Sequence, residues 1–269
     1  MPGPRSSTTR ASTRSSSASS PACRPITNYR QAATAWTIDA LDAALVALFP
    51  PRCAACDAAL AVRPRFGLCA PCFEVLEPNI GGRCERCDLP GAEGTCGGCK
   101  GRPPTFEAVR APFIYGGPLA DLIVAAKFRG REDLAAAAGR LLAEQSDARA
   151  LGTGVSVCVP VPLGKKRRRQ RGYNQSAVIA RTIGKAWGLP VQYALRRRQE
   201  TVPQSDLPLS GRRDNVSGVF DSKTRLRGSV LLVDDVVTSG ETVHQAAAAI
   251  LAAGADAVRV VAVARAPLT

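Results

Sequence analysis

Histidine, methionine and aromatic residues are scarce in this sequence. The 269 residues include one His and one Met, and the aromatic share is 5%. The only histidine, His244, follows a polar turn, and we predict a surface or packing role for it. No serine–histidine or paired-carboxylate hydrolase arrangement is present among the remaining residues. The absence of both arrangements argues against hydrolytic enzymes of those two classes.

Long hydrophobic runs and secretory signals are also lacking. No run approaches the roughly 18–20 apolar residues that a membrane helix needs. Residues 1–35 contain 13 Ser or Thr, five Arg and no acidic residue. They lack both hydrophobic periodicity and the apolar segment of a secretory signal, which predicts a disordered tail and a cytoplasmic protein. A transit peptide is the alternative interpretation of the tail.

Positive charge is in excess and unevenly placed. The chain has 36 Lys and Arg against 22 Asp and Glu. Residues 160–215 hold 13 basic and three acidic residues, which supplies ten of the 14 net positive charges. Such an excess favours anionic partners, namely phosphates, nucleic acid or a membrane surface.

Eight of the ten cysteines form four Cys-x-x-Cys pairs within 47 residues. Each pair can present two thiolates to one metal, and two pairs complete a tetrahedral site. We therefore predict two structural zinc ions in an N-terminal module over residues 36–104. Sequential pairing needs the shortest loops, and interleaved pairing is the alternative. The predicted ligands are Cys53, Cys56, Cys69, Cys72, Cys84, Cys87, Cys96 and Cys99.

Three other interpretations of the cysteines fit less well. Disulfides require an oxidising compartment, and nothing in the sequence directs export. A redox pair normally occurs once, at a junction between a strand and a helix. The spacing matches none of the ferredoxin runs. All four positions on each zinc ion would be filled by protein, so a structural role is expected.

The second half of the chain alternates strands and helices. Buried strands are predicted at 155–161, 230–236 and 257–263, with amphipathic segments between them. This alternation predicts an α/β domain over residues 105–269 with a mostly parallel sheet.

A carboxylate pair and a polar turn follow the strand that starts at Val230. Asp234 and Asp235 come at its end, and the five turn residues that follow begin a helix: Thr238, Ser239, Gly240, Glu241 and Thr242. Two carboxylates can accept hydrogen bonds from vicinal ribose hydroxyls, and the turn can bind a phosphate with backbone amides. The pattern favours a sugar-phosphate site. A metal or phospho-acceptor site, or a solvated turn with an ordinary helix cap, are the alternatives.

A basic loop is predicted after the strand at 155–161. Because parallel strands end at the same sheet edge, this loop is expected near the carboxylate pair. Its candidate anion ligands are Lys165, Arg167, Arg169 and Arg171, of which Arg171 is favoured. The alternative is a solvated charged surface. Lys127 is a further candidate, either as a phosphate contact or as a cation at a helix end.

Several motifs resemble those of the ComF/GntX family of phosphoribosyltransferase-like proteins. The resemblance covers about residues 40–266 and rests on the cysteine pairs together with four later motifs. These motifs are Lys127-Phe-Arg-Gly-Arg131, Pro160-Val-Pro-Leu163, Arg171-Gly-Tyr-Asn-Gln175 and Asp234-Asp-Val-Val-Thr-Ser-Gly240.

The resemblance implies a type I phosphoribosyltransferase fold that binds phosphoribosyl pyrophosphate with Mg²⁺. Asp234 and Asp235 would hold the ribose, the turn would hold the 5-phosphate, and the basic loop would meet pyrophosphate. Residues 197–215 would form a hood over the site. The chain departs from the family pattern at Glu241 in the turn and at Gln199, where an arginine is expected.

Two functions follow as expectations. The first is transfer of a phosphoribosyl group to a nitrogen acceptor, in DNA uptake, competence or nucleotide salvage. The alternative is a non-catalytic protein that binds a phosphoribosyl ligand and contacts single-stranded DNA or a competence partner. The basic stretch holds few aromatic residues for stacking bases, which weakens the single-strand interpretation.

Overall fold

The computed structural model describes residues 50–60, 66–198 and 218–267, all within one compact unit. The predicted tail over residues 1–35 and most of the predicted hood, Gln199 included, lie outside the described residues.

A five-stranded parallel sheet forms the centre of the molecule. Its spatial order is β1–β7–β6–β3, and β2 pairs with β7 beyond the end of β1. The α/β class with a mostly parallel sheet is therefore confirmed. The strands are β1 (Val109–Arg110), β2 (Phe113–Ile114), β3 (Val157–Pro160), β6 (Ser229–Val237) and β7 (Ala257–Arg265).

A separate antiparallel pair joins the two ends of the segment 199–217. Its strands are β4 (Leu195–Arg197) and β5 (Phe220–Ser222). Asp221 accepts hydrogen bonds from Arg196 and Arg198 across this pair. The flanks of the predicted hood are thus held together beside the main sheet.

Helices cover both faces of the sheet. Residues of α3, α4 and α7 pack on one face with Leu231, Val233 and Val261, while α8 packs on the other with Val230 and Leu232. The helices are α1 (Ala70–Glu74), α2 (Gly97–Gly101), α3 (Gly117–Phe128), α4 (Glu132–Ala143), α5 (Ser146–Leu151), α6 (Lys165–Arg171), α7 (Gln175–Trp187) and α8 (Glu241–Ala252).

The connections reverse direction beside β3. After β3 the chain passes through α7 to Val191, which bridges in parallel to Cys158, and it returns to form β6 against the opposite edge of β3. Because α7 and α8 lie on opposite faces, the carboxyl ends of β3 and β6 form a topological switch point, and the position between them is called the crevice. Open α/β sheets bind their ligands at such a switch point.

The basic segment predicted as a loop is a helix, so that prediction was wrong. Residues Lys165–Arg171 form α6, which follows Gly164 and ends at Gly172 with φ of 78°. Lysine, arginine and glutamine are good helix formers, and a glycine in the left-handed region commonly ends a helix. The loop was predicted from the charge of this run, whereas its helix propensity indicates a helix.

The cysteine-rich segment lies on both faces of the sheet. Cys53 and Phe66 share a buried cluster with Leu119 and Leu122 of α3, whereas Cys84 and Cys87 share one with Val243 and other residues of α8. Between them, residues 77–79 run antiparallel to β2 and exchange backbone hydrogen bonds with it. The two cysteine clusters therefore hold the β2 edge of the sheet from either side.

Candidate functional site

Asp234 is buried at the crevice between β3 and β6. Strand β3 ends at Pro160, opposite Val233, so Asp234 is the first residue of β6 beyond its neighbour. Asp234 is only 9% exposed, and its Oδ1 accepts hydrogen bonds from Ser176 Oγ and Asp235 N, both at 2.9 Å. Burial and the neighbouring Asp235 raise the pKa of Asp234 to about 7. The pair therefore holds a proton more readily than two separate carboxylates.

Two cations approach the carboxylate pair from one side. Lys127 Nζ, near the end of α3, lies 3.0 Å from Asp235 Oδ2. Arg171 is half-buried at the end of α6, where its guanidinium lies 4.9 Å from the centre of the Phe128 ring. Burial lowers the pKa of Arg171, while the charge of Asp235 raises it, which places the two groups in the same electrostatic environment. These contacts bring the motifs around residues 127 and 171 to the same site as Asp235.

The remaining basic candidates lie on exposed positions of α6. Lys165, Arg167 and Arg169 are all exposed, and Arg167 is near enough to Arg171 to lower its pKa. Their helix begins four residues after Val161, at the edge where β3 ends. They extend a positive surface outward from the crevice.

Tyr173 and Asn174 tie the segments around the crevice together. The Tyr173 hydroxyl donates to the carbonyl oxygens of Ala126 and Arg131, on either side of the bend after α3. Asn174 Nδ2 donates to Val161 O at 2.9 Å. The Arg-Gly-Tyr-Asn motif therefore holds the segments around the crevice together, with Tyr173 in a packing role.

The turn between β6 and α8 presents unpaired backbone N–H groups. Gly240 has φ of 82°, in the left-handed region that favours glycine, and precedes the twelve-residue helix α8. Within the described residues, no protein acceptor is found for the N–H groups of Thr238, Ser239 and Gly240. Thr238, Ser239 and Thr242 are exposed. Successive free N–H groups at a helix start form an anion-binding concavity.

Glu241 is held by partners outside this turn. Its Oε1 accepts from Gln245 Nε2 at 2.8 Å, one turn further along α8, and its Oε2 lies 3.5 Å from Arg102 Nη1. The carboxylate that departs from the family pattern thus has two donors of its own.

Arg265 binds the backbone carbonyls of the same turn, a role that was not predicted from the sequence. The side chain is 1% exposed at the end of β7 and donates to the carbonyl oxygens of Val237, Thr238 and Ala266. Its Nε donates to Cys87 O at 3.0 Å. The predicted strand ended at residue 263, so the only available signal was a charge two residues beyond an apolar run.

The cysteines form two four-sulfur clusters with sequential pairing. The sulfur atoms of Cys53, Cys56, Cys69 and Cys72 lie within 4.8 Å of one another, and so do those of Cys84, Cys87, Cys96 and Cys99. The sulfur atoms of Cys56 and Cys69 lie 3.6 Å apart, and those of Cys87 and Cys96 lie 3.7 Å apart. A tetrahedral zinc site with Zn–S bonds of about 2.3 Å requires S···S distances of about 3.8 Å. The donor set therefore fits zinc in both clusters.

Backbone N–H groups favour thiolates in both clusters. Burial raises the pKa of Cys53 and Cys84, but hydrogen bonds from neighbouring N–H groups outweigh it and lower both values to about 6. Among the donors, Cys69 N lies 3.4 Å from Cys53 Sγ and Cys96 N lies 3.3 Å from Cys84 Sγ. The thiolate is the metal-binding form, and Cys53 and Cys84 favour it. Burial and the neighbouring thiols raise the pKa of Cys72 and Cys99, so the preference for the thiolate is shown for one cysteine of each cluster.

The two clusters repeat one sequence motif, which was also missed. Arg-Cys-x-x-Cys-Asp occurs at 52–57 and 83–88, and both aspartates have positive φ. Asp57 is exposed, but Asp88 is fully buried and accepts from Ala111 N at 2.7 Å and Asn79 Nδ2 at 3.2 Å. The aspartate that ends the motif is thus exposed in the first copy, whereas in the second copy it is buried in a contact with Asn79 and Ala111.

Comparison with known proteins agrees with this arrangement. The family model of the double zinc ribbon domain matches residues 44–101. The DNA utilization protein YhgH of Salmonella typhimurium is 32% identical over 221 residues, which cover 78% of this chain and 95% of the relative. The chain belongs to the YhgH/ComF family.

Competence proteins match over similar lengths. Competence protein F of Haemophilus influenzae is 27% identical, with 80% of this chain and 97% of the relative covered. Competence protein ComFC of Bacillus subtilis is 25% identical, with 72% and 81% covered. In this member of the YhgH/ComF family, the two four-cysteine clusters and the ribbon match together support two structural zinc sites. No described helix has the length and apolar character to cross a membrane.

Proposed function

We propose that this YhgH/ComF family member binds phosphoribosyl pyrophosphate together with Mg²⁺ in the crevice between β3 and β6. The observation that carries the proposal is the carboxylate pair Asp234–Asp235 beside a turn with free N–H groups. The pair suits the two ribose hydroxyls, which donate hydrogen bonds to carboxylates. The turn suits a terminal phosphate, which accepts from N–H groups at a helix start.

The position of the cations supports a second anionic group. Lys127 and Arg171 lie on the side of Asp235 where α3 and α6 meet, and α6 carries Lys165, Arg167 and Arg169 outward. A pyrophosphate carries several negative charges, which this concentration of cations would stabilise. The phosphate turn and the basic helix thus provide separate places for the two ends of one ligand.

Magnesium suits the oxygen donors at this position. Mg²⁺ is usually held by one or two carboxylates and by substrate phosphates, and it keeps several waters. Asp234 and Asp235 supply the carboxylates. When bound, the ion would neutralise charge on the pyrophosphate oxygens.

The arrangement supports transfer of the phosphoribosyl group. A nitrogen acceptor would form a bond to the anomeric carbon while the bond from that carbon to pyrophosphate breaks. The pyrophosphate leaves with the bonding electron pair, and the acceptor nitrogen loses its proton to solvent. Lys127 and Arg171 would stabilise the charge that develops on the leaving oxygen.

The names of the relatives favour a link to DNA uptake and use. In addition, Phe128 is 68% exposed beside Arg171, next to the exposed cations of α6. An aromatic ring among cations is the pattern of a surface that binds single strands. A ligand-binding protein without turnover that contacts single-stranded DNA is therefore the second candidate function.

Calorimetric titration with phosphoribosyl pyrophosphate and Mg²⁺ tests the proposal. We expect saturable binding by the unaltered protein and at least about tenfold weaker binding by Asp235→Asn and Lys127→Gln, because each removes a charge at the crevice. Lys185→Gln, an exposed position near the end of α7, is the matched control and should bind normally. No binding by the unaltered protein would refute the proposal.

A screen of nucleobase acceptors for pyrophosphate release then separates the two candidate functions. Release with one acceptor, lost in Asp235→Asn, supports transfer. Tight binding of phosphoribosyl pyrophosphate without pyrophosphate release in the presence of any acceptor, combined with retention of a labelled single-stranded oligonucleotide, supports the second candidate.

A further inference from the structure

The buried arginine at the end of β7 has no carboxylate partner within the described residues. Arg265 uses its guanidinium on backbone carbonyls alone, those of Cys87, Val237, Thr238 and Ala266. A buried charge needs compensation as well as hydrogen bonds. Cys87 supplies both the carbonyl that Arg265 binds and a thiolate of the second cluster. Four thiolates and one Zn²⁺ carry a formal charge of minus two, which would compensate the guanidinium.

Arg265 also determines the direction of the turn's amides. In a planar trans peptide, the C=O of one residue and the N–H of the next point in opposite directions. Because Arg265 binds the carbonyls of Val237 and Thr238, the N–H groups of Thr238 and Ser239 point away from it. Those two N–H groups have no protein acceptor within the described residues. The arginine thus holds the turn in the conformation that an anion requires.

Two further contacts join the second cluster to the same turn. Arg102, three residues after Cys99, lies 3.5 Å from Glu241. Thr105 N donates to His244 Nδ1 at 3.2 Å, and Thr105 Oγ1 donates to His244 O at 2.7 Å. His244 lies in the first turn of α8. The segment that leaves the second cluster is therefore fastened to the helix start that forms the phosphate site.

The first cluster makes its contacts elsewhere. Cys53 packs with Leu119 and Leu122 of α3, and Ala54 packs with Ala125 and Ala126 near the end of that helix. No described contact of the first cluster reaches residues 237–244. The two metal sites are thus chemically alike but differ in what they touch.

From these contacts we infer that the second metal site controls the phosphate turn and that Arg265 is the positioning residue between them. Loss of zinc from Cys84, Cys87, Cys96 and Cys99 removes the charge that compensates Arg265 and releases the turn. Loss of zinc from the first site leaves the turn in place. Zinc in the second site then raises the affinity of the turn for its ligand. By linkage, the ligand raises the affinity of that site for zinc by the same factor. This inference deepens the proposed function and rests on it for the identity of the ligand.

Hydrogen exchange tests the inference without any ligand. We expect the amides of His244 and Ala266, which donate to Gly240 O and Val237 O at either end of the turn, to exchange at least about fivefold faster in Cys99→Ser than in the unaltered protein. In Cys72→Ser, the matched change in the first site, they should exchange at the unaltered rate. Equal exchange of this turn in all three proteins would overturn the inference. So would equal acceleration by both variants.

Zinc release tests the reciprocal effect, and its first measurement uses the unaltered protein alone. Ribose 5-phosphate is the probe, because it carries the phosphate and lacks the chelating pyrophosphate. With a chromogenic chelator, the probe should slow release of one of the two zinc ions by about fivefold or more. The protection should persist in Cys72→Ser and disappear in Arg265→Lys, which keeps the charge but cannot span four carbonyls.

The outcomes separate this inference from the proposed function. If ribose 5-phosphate binds and protects neither zinc ion, the inference fails and the proposed function stands. If neither ribose 5-phosphate nor phosphoribosyl pyrophosphate binds, the proposed function fails, and the exchange rates of the His244 and Ala266 amides still decide whether the second site controls the turn.

Discussion

Asp234 is a residue at which folding and ligand binding make opposite demands. Burial disfavours its ionised form, whereas the proposed ligands, ribose hydroxyls and Mg²⁺, favour it. Its pKa is raised to about 7, so a proton is bound in the folded protein where the unfolded chain would have lost it. The stability that this group contributes is present below about pH 4 and is lost as the pH rises through 7.

Asp234→Asn should therefore stabilise the ligand-free protein at pH 8 and have little effect near pH 4. Asn Oδ1 can still accept from Ser176 and Asp235, so the hydrogen bonds survive. At pH 8 we expect an increase in unfolding free energy of about 1 kcal/mol or more, or roughly 2–4 °C in Tm. Urea unfolding from pH 4 to pH 8 measures this difference. A gain that is constant across that range would contradict the raised pKa.

Arg265 shows why some site residues escape sequence reasoning. Asp234 and the turn after it are adjacent in the chain, and their chemistry is legible from residue type and order. Arg265 and Cys87 are 178 residues apart, and neither the charge nor the cysteine indicates that they meet. The roles of Lys127 and Arg171 were open in the sequence, because a cation at a helix end and a solvated run of charges each have a local explanation. Only packing brings both cations to Asp235.

At the scale of elements, α4 and α7 pack so closely that one position requires glycine. A Cβ at Gly139 in α4 would lie 2.8 Å from Thr182 Cβ and 3.2 Å from Ile179 Cα of α7. Helix α7 positions Ser176, the partner of Asp234, at its start. The spacing of these two helices thus affects the carboxylate pair.

Gly139→Ala should destabilise the protein although alanine is the better helix former. The gain in helix propensity is about 1 kcal/mol, while overpacking a close helix contact costs about 1–3 kcal/mol. We expect a net loss of about 1 kcal/mol in urea unfolding. Gly101→Ala, where no heavy atom lies within 4 Å of the new Cβ, is the control and should change stability by less than about 0.5 kcal/mol. Equal effects at both positions would contradict the packing argument.

The elements themselves were predicted unevenly. Apolar runs identified β3, β6 and β7, since strands buried on both faces have that pattern. Helix α6 was mistaken for a loop because six of its seven residues are charged and none is buried, so no apolar periodicity marks it. Cysteine spacing identified both metal clusters, and the sequential pairing favoured by loop length is the one found.

At the scale of the whole molecule, the zinc ribbons belong to the core of the sheet domain. Each ribbon contributes cysteines to a buried cluster on its own face of the sheet. Asp88 adds a buried link, since it accepts from Ala111 N and lies 3.6 Å and 3.5 Å from Arg83 and Arg110. Nothing in the sequence placed the ribbons, because their contacts depend on how the finished sheet is covered.

Removal of zinc should therefore destabilise the entire protein. Metal analysis should find two zinc ions per chain. Scanning calorimetry should show one transition with metal bound and a decrease in Tm of more than about 10 °C after chelation, because metal binding is coupled to folding. A separate early transition for the ribbons, with the main transition unchanged, would show that the ribbons are independent of the sheet.

The segment between the ribbons has a consequence for solubility. Residues 77–79 occupy the outer side of β2, where Asn79 N donates to Pro112 O and Ile114 N donates to Glu77 O. An uncovered strand edge offers free N–H and C=O groups to a second chain and invites aggregation. Because a four-cysteine cluster lies on each side of this short segment in the chain, loss of zinc should open that edge to other copies of the protein.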